Sequence, residues 1–314
     1  MKSVSAAYNG AMRCGEATAM QAVITDVMGS DGLRPLTQGL PGAMLPLLDE
    51  PLAGLTLHLL RRHGVRRATI LSRDERIMAA LDDGSLYGMS LAYANAWPED
   101  AEAVLLLRGD AVTDMDLSAL LDRHRENGGA CEAVAAEEPQ AALGALVMAG
   151  KTLRCMPVAE RLGDVLSALR AMGIPTHSVP LRCYWHAVED TDSYRLAQRD
   201  LLEGRIGLPV RGSRRGSAIV APGVRLPGEV RVTGRCYVGP FTRVEPGAVL
   251  GPGTVLGRGV QVGRRAYLEN ACLWENARAD PDAILRNVMV IPRMGNIVLQ
   301  QMIQLEANYP RNGS

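Results

Sequence analysis

Lysine and phenylalanine are scarce in this sequence of 314 residues, and neither sign of charge prevails. Lysine occurs only at Lys2 and Lys151, so nearly all basic residues are arginine. The 34 basic and 34 acidic residues cancel. A protein without net charge has no overall field that attracts nucleic acid or an anionic membrane, and we predict neither partner.

Paired cysteines and long apolar runs are also absent from the sequence. The six cysteines lie far apart, with no CxxC pair and no histidine at the spacing of a metal site. The first twenty residues lack the apolar stretch of a signal peptide, and no later run approaches the length of a membrane span. We therefore predict a reduced, cytoplasmic protein in which residues 1–20 form a flexible extension.

Short apolar runs alternate with amphipathic segments between residues 21 and 210. The runs QAVIT, RATILS and AVLLL are typical of strands, whereas DLSALLDRHRENGG has leucines at helical spacing and ends in two glycines. This alternation indicates βαβ units, a mostly parallel sheet and the α/β class. Ligands bind such sheets at the carboxyl ends of the strands, where the loop after QAVIT would lie.

An apolar residue recurs at every sixth position after residue 211, and glycine and proline crowd the turns. The positions are Val220, Leu226, Val232, Val238, Val244, Leu250, Leu256, Val262, Leu268 and Trp274. Three hexapeptides of this kind close one triangular coil with the apolar side chains stacked inside. We predict a left-handed parallel β-helix of about three coils over 211–292. A short helix within 293–314 would cover its open end.

The order of these segments resembles the sugar-1-phosphate nucleotidyltransferases, the NDP-sugar pyrophosphorylases, and in particular the mannose-1-phosphate guanylyltransferases. The segments that carry the resemblance are LRPLT with MLPLL, DDGSLYGMSLAYA, LLLRGDAVTDMDLSALLDRHRENGG and YWHAVEDTDSYRLAQRDLL, with the hexapeptides after them. The resemblance implies a shortened, Rossmann-like nucleotidyltransferase domain over 21–210. In that family a sugar phosphate attacks the α-phosphate of a nucleotide and pyrophosphate leaves.

The loop that would hold phosphate departs from the family pattern. The family's GGxGTRL corresponds to residues 27–33, which places Gly32 at the arginine and Asp31 close to an anionic substrate. The lysine of the family's PKPM falls on Gly42. Transfer of a phosphoryl group depends on positive charge around the phosphates, so these changes affect the chemistry. The candidate nucleotide- or phosphate-binding residues are Gly29, Ser30, Asp31, Gly32 and Arg34.

One of the family's two metal-binding carboxylates is retained. It is Asp110 in the RGD that matches the family's NGD, whereas the other position falls on Ala187. Asp110 is the candidate metal ligand, and an active enzyme would need Mg²⁺ beside it. The competing interpretation makes Asp110 a turn residue that caps the next helix.

Three functions compete for this sequence. Acyltransferases with hexapeptide repeats use a histidine of the coil as general base, but His58, His63, His124, His177 and His186 all precede the repeats. An active, divergent sugar-1-phosphate nucleotidyltransferase is the alternative. We predict a catalytically degenerate family member instead. It would bind a nucleotide or sugar nucleotide, or regulate or scaffold polysaccharide metabolism, as a homo-oligomer or with an active homologue through its repeats.

Overall fold

The computed structural model describes residues 20–34, 36–37, 40–293 and 299–304. Residues 1–19 of the predicted extension lie outside this part of the chain. The chain divides into two compact units. The first comprises the chain up to Leu45 together with Pro51–Tyr194. The second comprises Pro46–Glu50 and the chain from Arg195. The division precedes the predicted boundary at 210 because the segment after Tyr194 packs within the second unit. There Arg235 donates a hydrogen bond to the carbonyl of Glu203.

The strands and helices before the repeats follow in alternation. The strands are β1 (Met20–Thr25), β2 (Pro46–Leu47), β3 (Glu50–Pro51), β4 (Arg67–Ile70), β5 (Ser90–Tyr93), β6 (Ala103–Arg108), β7 (Ala111–Thr113), β8 (Ala130–Ala135), β9 (Ala142–Ala149), β10 (Thr176–Leu181) and β11 (Trp185–Ala187). The helices are α1 (Leu52–Arg62), α2 (Glu75–Leu81), α3 (Leu117–Asn127), α4 (Gly150–Arg154), α5 (Leu162–Ala171) and α6 (Thr191–Glu203).

A seven-stranded sheet with the order β10-β8-β9-β6-β1-β4-β5 forms the centre of the first unit. Its neighbouring strands run parallel except where β9 pairs with β8 and β6. The predicted α/β class and mostly parallel sheet are confirmed. β1 and β6 are neighbours from Met20 opposite Ala103 to Thr25 opposite Arg108, so the loops after both strands leave the sheet at one edge.

Apolar layers cover both faces of this sheet. On one face Ile24 and Leu105 pack with apolar residues of α1 and α3, and on the other Val23 and Leu106 pack with α5. Successive residues of a strand point to opposite faces, so a strand covered on both sides is apolar throughout, as AVLLL is. Among the described residues, no helix has both the length and the apolar character needed to cross a membrane.

The second unit consists mainly of short strands in parallel register. They are β12 (Ser213–Arg215), β13 (Ala218–Val220), β14 (Arg231–Val232), β15 (Cys236–Val238), β16 (Arg243–Val244), β17 (Val249–Leu250), β18 (Thr254–Leu256), β19 (Gln261–Val262), β20 (Tyr267–Leu273), β21 (Arg278–Ala279), β22 (Ile284–Arg293) and β23 (Leu299–Gln304). β13 pairs with β15 and β15 with β18, each three hexapeptides further along the chain. The apolar positions Val220, Val238 and Leu256 are buried together. A left-handed β-helix would have this register, and its hand stays a prediction.

Two predictions about the end of the repeats are wrong. Leu256 pairs with Leu273, so the last apolar step from Leu268 is one residue shorter than a hexapeptide and Leu273 takes the position predicted for Trp274. The predicted C-terminal helix is replaced by β23, which pairs antiparallel with β22. The backbone groups along the edge of β22 need hydrogen-bond partners, and a strand supplies them where a helix does not. Residues 294–298 and 305–314 lie outside the described part of the chain.

Candidate functional site

A cavity of about 730 Å³ opens at one edge of the central sheet of the first unit. Its lining follows the strand ends: residues 26–30 come after β1, residues 71–74 after β4, Asn95 after β5, and Arg108 ends β6. This is the edge at which open α/β sheets bind ligands. The loop after QAVIT therefore lies where the sequence predicts it.

The structure separates the predicted phosphate-binding residues into two groups. Gly29 and Ser30 line the cavity, while Asp31, Gly32 and Arg34 are not among its lining residues within the described ranges. Arg34 Nη2 lies 3.2 Å from Asp31 Oδ1, and these side chains are 72% and 94% exposed. Such an exposed pair is screened by water, so Arg34 contributes little positive potential to the cavity.

Glycines occupy the two positions that the motif resemblance aligns with the family's phosphate-binding arginine and lysine. A Cβ atom on Gly32 would lie 2.6 Å from the carbonyl oxygen of Glu189, and a Cβ on Gly42 would lie 2.5 Å from the Cα atom of Gly29. The surrounding backbone has closed into the space that a side chain would need. The amide of Gly42 also donates to the carbonyl of Met28 at 3.0 Å, which holds the two segments together.

Ser30 takes part in this closure. Its hydroxyl donates a hydrogen bond to the carbonyl of Glu189, the same atom that excludes a side chain from Gly32. The loop after β1 is thereby fastened to the segment after β11. Ser30 acts here as a structural tie.

Arg108 is the centre of the cavity's charged network. Its Nε lies 2.8 Å from Asp110 Oδ1 and its Nη2 lies 2.9 Å from Asp110 Oδ2, a two-pronged pair. The same Nη2 lies 2.8 Å from Glu189 Oε1. The Asp110 side chain is only 7% exposed and that of Arg108 22%. Asp110 is a residue that the sequence predicts for this site, whereas Arg108 and Glu189 are not. The arginine that replaces the asparagine of the family's NGD was the available signal.

Burial and charge act against each other in this pair. Burial raises the pKa of the Asp110 carboxyl, and the hydrogen bond and charge of Arg108 oppose that rise. Burial alone would lower the pKa of Arg108, but its hydrogen bonds and charge interactions with Asp110 and its hydrogen bond with Glu189 raise it instead. The guanidinium therefore stays charged at physiological pH, and Asp110 depends on it as a counter-ion.

A third carboxylate, Asp26, follows β1 and has a structural role. Its Oδ2 accepts hydrogen bonds from the Thr25 hydroxyl at 2.7 Å and from the amide of Leu162 at 2.9 Å. Since Leu162 begins α5, this carboxylate ties the end of β1 to the first turn of that helix.

The cavity carries an excess of acidic side chains. The acidic lining residues are Asp26, Asp74, Asp110, Glu160, Asp164 and Glu189, and the basic ones are Arg73, Arg108 and Arg161. Like charges repel more strongly near protein than in bulk water, so an unscreened polyphosphate is disfavoured here.

The divalent metal of the family does not fit these side chains. Both carboxylate oxygens of Asp110 and one of Glu189 already accept hydrogen bonds from Arg108. A metal ion between them would lie against a guanidinium. In the part of the chain that the structure describes, no three His, Cys, Asp or Glu side chains are grouped so that they could hold an ion.

Comparisons with known proteins agree with the motifs. Over 87% of its length the chain is 24% identical to UTP–glucose-1-phosphate uridylyltransferase of Synechocystis, covering 88% of that protein. Over 32% of its length it is 31% identical to N-acetylmuramate α-1-phosphate uridylyltransferase of Neisseria meningitidis, covering 51% of that protein. No family model matches the chain. A crystal structure named as a glucose-1-phosphate thymidylyltransferase from Bacillus anthracis shares 16% identity, with a TM-score of 0.47 over 57% of this chain and 94% of its own.

The two sequence relatives support a sugar-1-phosphate nucleotidyltransferase family for this chain, in agreement with its motifs. The two relatives found by sequence are both uridylyltransferases, whereas the motifs resembled guanylyltransferases in particular.

Proposed function

We propose that this chain is a non-catalytic member of its family, which binds a ligand or a partner without transferring a nucleotide. The observation that carries the proposal is the closure of the two cation positions. At Gly32 and at Gly42 the neighbouring backbone leaves no room for any side chain. The loss of positive charge therefore follows from the packing of the loop as well as from the residue types at these two positions.

The energetics of the reaction support this proposal. Attack on an α-phosphate concentrates negative charge that preorganised donors have to stabilise, and removal of one such donor typically costs about 10²–10³-fold in rate. Here the loop arginine and the lysine are absent, and the retained carboxylate is paired with Arg108. These effects do not add independently, but together they remove the preorganised donors that the family provides for the leaving pyrophosphate.

The cavity itself is retained, which supports a binding role. With about 730 Å³ it is in the size range of small-molecule sites. Its acidic excess favours a ligand of low charge over a triphosphate. We therefore expect a sugar nucleotide, if it is the ligand, to bind more tightly than UTP.

We further propose that the second unit serves association with a second copy or with an active homologue. Its strand edges are the support for this proposal, because exposed edges can pair with another chain. At the β12 edge, however, Arg214 and Arg215 are exposed, and charge disfavours pairing there. Association would then use another strand edge of the repeats, such as β14 at the other end of the same strand order, in the setting of polysaccharide-precursor synthesis.

Pyrophosphate release tests the absence of catalysis. The purified protein would meet each common NTP with a panel of hexose-1-phosphates and Mg²⁺, beside an Asp110→Asn variant as background. We expect release no higher than that background for every pair. Release well above it would establish the alternative, an active and divergent nucleotidyltransferase.

A further inference from the structure

Arg108 lies where the family's divalent cation is expected, at the one retained metal carboxylate. We propose that Arg108 is the resident cation of this site and keeps a divalent metal ion out of it. The inference deepens the proposed non-catalytic function and rests on it. It follows that any ligand of this cavity binds without a metal.

The geometry supports a permanent pair. Two parallel N–H···O contacts of 2.8 and 2.9 Å join the guanidinium to Asp110, and a third contact of 2.8 Å joins it to Glu189. Arg108 and Asp110 are both substantially buried, at 22% and 7% exposure. An ion pair that is excluded from water in this way is screened much less by salt than a surface pair.

The competition with a metal is direct. Mg²⁺ and Mn²⁺ bind carboxylate oxygens, and the oxygens in question are those that accept from Arg108. A divalent ion would have to displace the guanidinium and leave it buried beside two positive charges. Such a displacement is disfavoured because a buried charge that loses its partner is strongly destabilised.

Arg108 also keeps donors for a ligand. Within the described ranges its Nη1 makes no hydrogen bond, while Nε and Nη2 hold the carboxylates. Arg108 lines the cavity, so Nη1 can donate to a ligand oxygen from a fixed position. One arginine thereby neutralises the carboxylates and presents a donor, two roles that a metal ion would otherwise fill.

Removal of Arg108 should restore a metal site. In an Arg108→Ala variant, Asp110 and Glu189 lose their counter-ion, and their carboxylate oxygens become available together. Oxygen ligands of this kind, completed by water, are what a hard divalent cation needs. The matched control is Arg73→Ala, which removes one exposed arginine from the same cavity lining and leaves the Arg108 contacts in place.

The test measures Mn²⁺ binding by electron paramagnetic resonance, with Mn²⁺ alone as the probe. We expect no saturable binding by the wild type or by Arg73→Ala. We expect saturable binding by Arg108→Ala, at least ten-fold tighter than any binding by the wild type, and its loss in Arg108→Ala/Asp110→Asn. Circular dichroism of each variant checks that it folds.

Two results would overturn the inference. One is saturable Mn²⁺ binding by the wild type that Asp110→Asn abolishes, a measurement that needs no arginine variant. The other is a folded Arg108→Ala variant that binds Mn²⁺ no better than the wild type. Neither result depends on catalysis. A wild type that binds Mn²⁺ yet releases no pyrophosphate would end this inference and leave the proposed function standing. Pyrophosphate release without Mn²⁺ binding would end the proposed function and leave the exclusion of the metal by Arg108 standing.

Discussion

At the scale of single residues, the site is defined by two glycines and one arginine. At Gly32 and Gly42 the backbone of Glu189 and of Gly29 occupies the space that a side chain would need. Arg108 shows that positive charge has instead entered the cavity from β6, where it is bound to carboxylates. Under the proposed non-catalytic function, this arginine neutralises carboxylates and does not serve to bind a polyphosphate.

Because the backbone fills the space beside Gly32, we expect that the family's arginine at this position will not restore activity. Gly32→Arg should lower the free energy of unfolding by about 1–3 kcal/mol, the usual cost of overpacking, and should not produce pyrophosphate release. Denaturant titration and the release assay measure the two effects. The matched control is Gly163→Arg, at a cavity-lining glycine with nothing within 4 Å of a built Cβ. It should remain within about 1 kcal/mol of the wild type. A stable and active Gly32→Arg variant would contradict the closure.

The buried ion pair predicts a large loss of stability when only one partner is removed. Arg108→Ala leaves Asp110 buried without its counter-ion, and we expect a loss of about 3–5 kcal/mol in the free energy of unfolding. The double variant Arg108→Ala/Asp110→Asn should recover part of that loss, because no bare charge remains. Urea titration of the single and double variants measures the coupling. Independent, additive losses would show that the pair is not coupled.

At the scale of elements, His63 joins the end of α1 to the start of α3. Its Nδ1 lies 3.6 Å from the Oδ1 of Asp116, the N-cap of α3, and its side chain is 5% exposed. Burial lowers the pKa of His63, and the charge of Asp116 only partly offsets this. The neutral imidazole is the form that the fold accommodates.

This pKa shift predicts an acid-sensitive contribution to stability. A histidine with a lowered folded-state pKa stabilises the fold fully above its unfolded pKa of about 6.5, and the contribution is lost as pH falls below that value. His63→Gln, which does not titrate, should therefore show a flatter dependence of unfolding free energy on pH between about 8 and 5. Denaturant midpoints of both proteins at several pH values measure this. Parallel curves would mean that His63 has an ordinary pKa in the folded state.

Two positions in the repeat strands, Leu256 and Gln261, should differ in how much substitution by alanine lowers stability. Leu256 is fully buried among the stacked apolar residues, whereas Gln261 in β19 is exposed. Leu256→Ala should cost about 2–5 kcal/mol, and Gln261→Ala should stay within about 0.5 kcal/mol. Denaturant titration of both variants, followed by circular dichroism, measures the two costs. Equal costs would argue against an inward stack at Leu256.

At the scale of the whole molecule, the acidic cavity and the arginine in the place of the metal predict how ligands bind. UDP-glucose, as a probe, should bind equally well in EDTA and in Mg²⁺, because no metal takes part. UTP should bind more weakly than UDP-glucose, since it brings more negative charge to a cavity with twice as many acidic as basic residues. Isothermal titration in the two buffers measures both. Binding that requires Mg²⁺ would contradict the prediction.

The sequence by itself determined the order of elements and the resemblance to the sugar-1-phosphate nucleotidyltransferases. Local patterns specify these, because the alternation of apolar residues in AVLLL and the spacing of leucines in DLSALLDRHRENGG depend only on neighbours along the chain. It also identified the cavity's position, since the loop after β1 has to leave the carboxyl edge of a parallel sheet. The one error of repeat register, at Trp274, arose because a strict six-residue spacing cannot show a shortened step.

Only the tertiary structure decided which charged side chains of the site pair and how its loop is packed. Arg108 and Glu189 are 81 residues apart in the chain and meet only because β6 and the segment after β11 end at the same cavity. Gly32 and the Glu189 carbonyl that leaves no room for a side chain there are still further apart in the sequence. The C-terminal strand was decided in the same way, since the open edge of β22 offers hydrogen-bond partners that the helical spacing of VLQQMIQL does not reveal. Periodicity is a property of neighbours along the chain, whereas ion pairs, steric closure and strand edges depend on which distant segments the fold brings together.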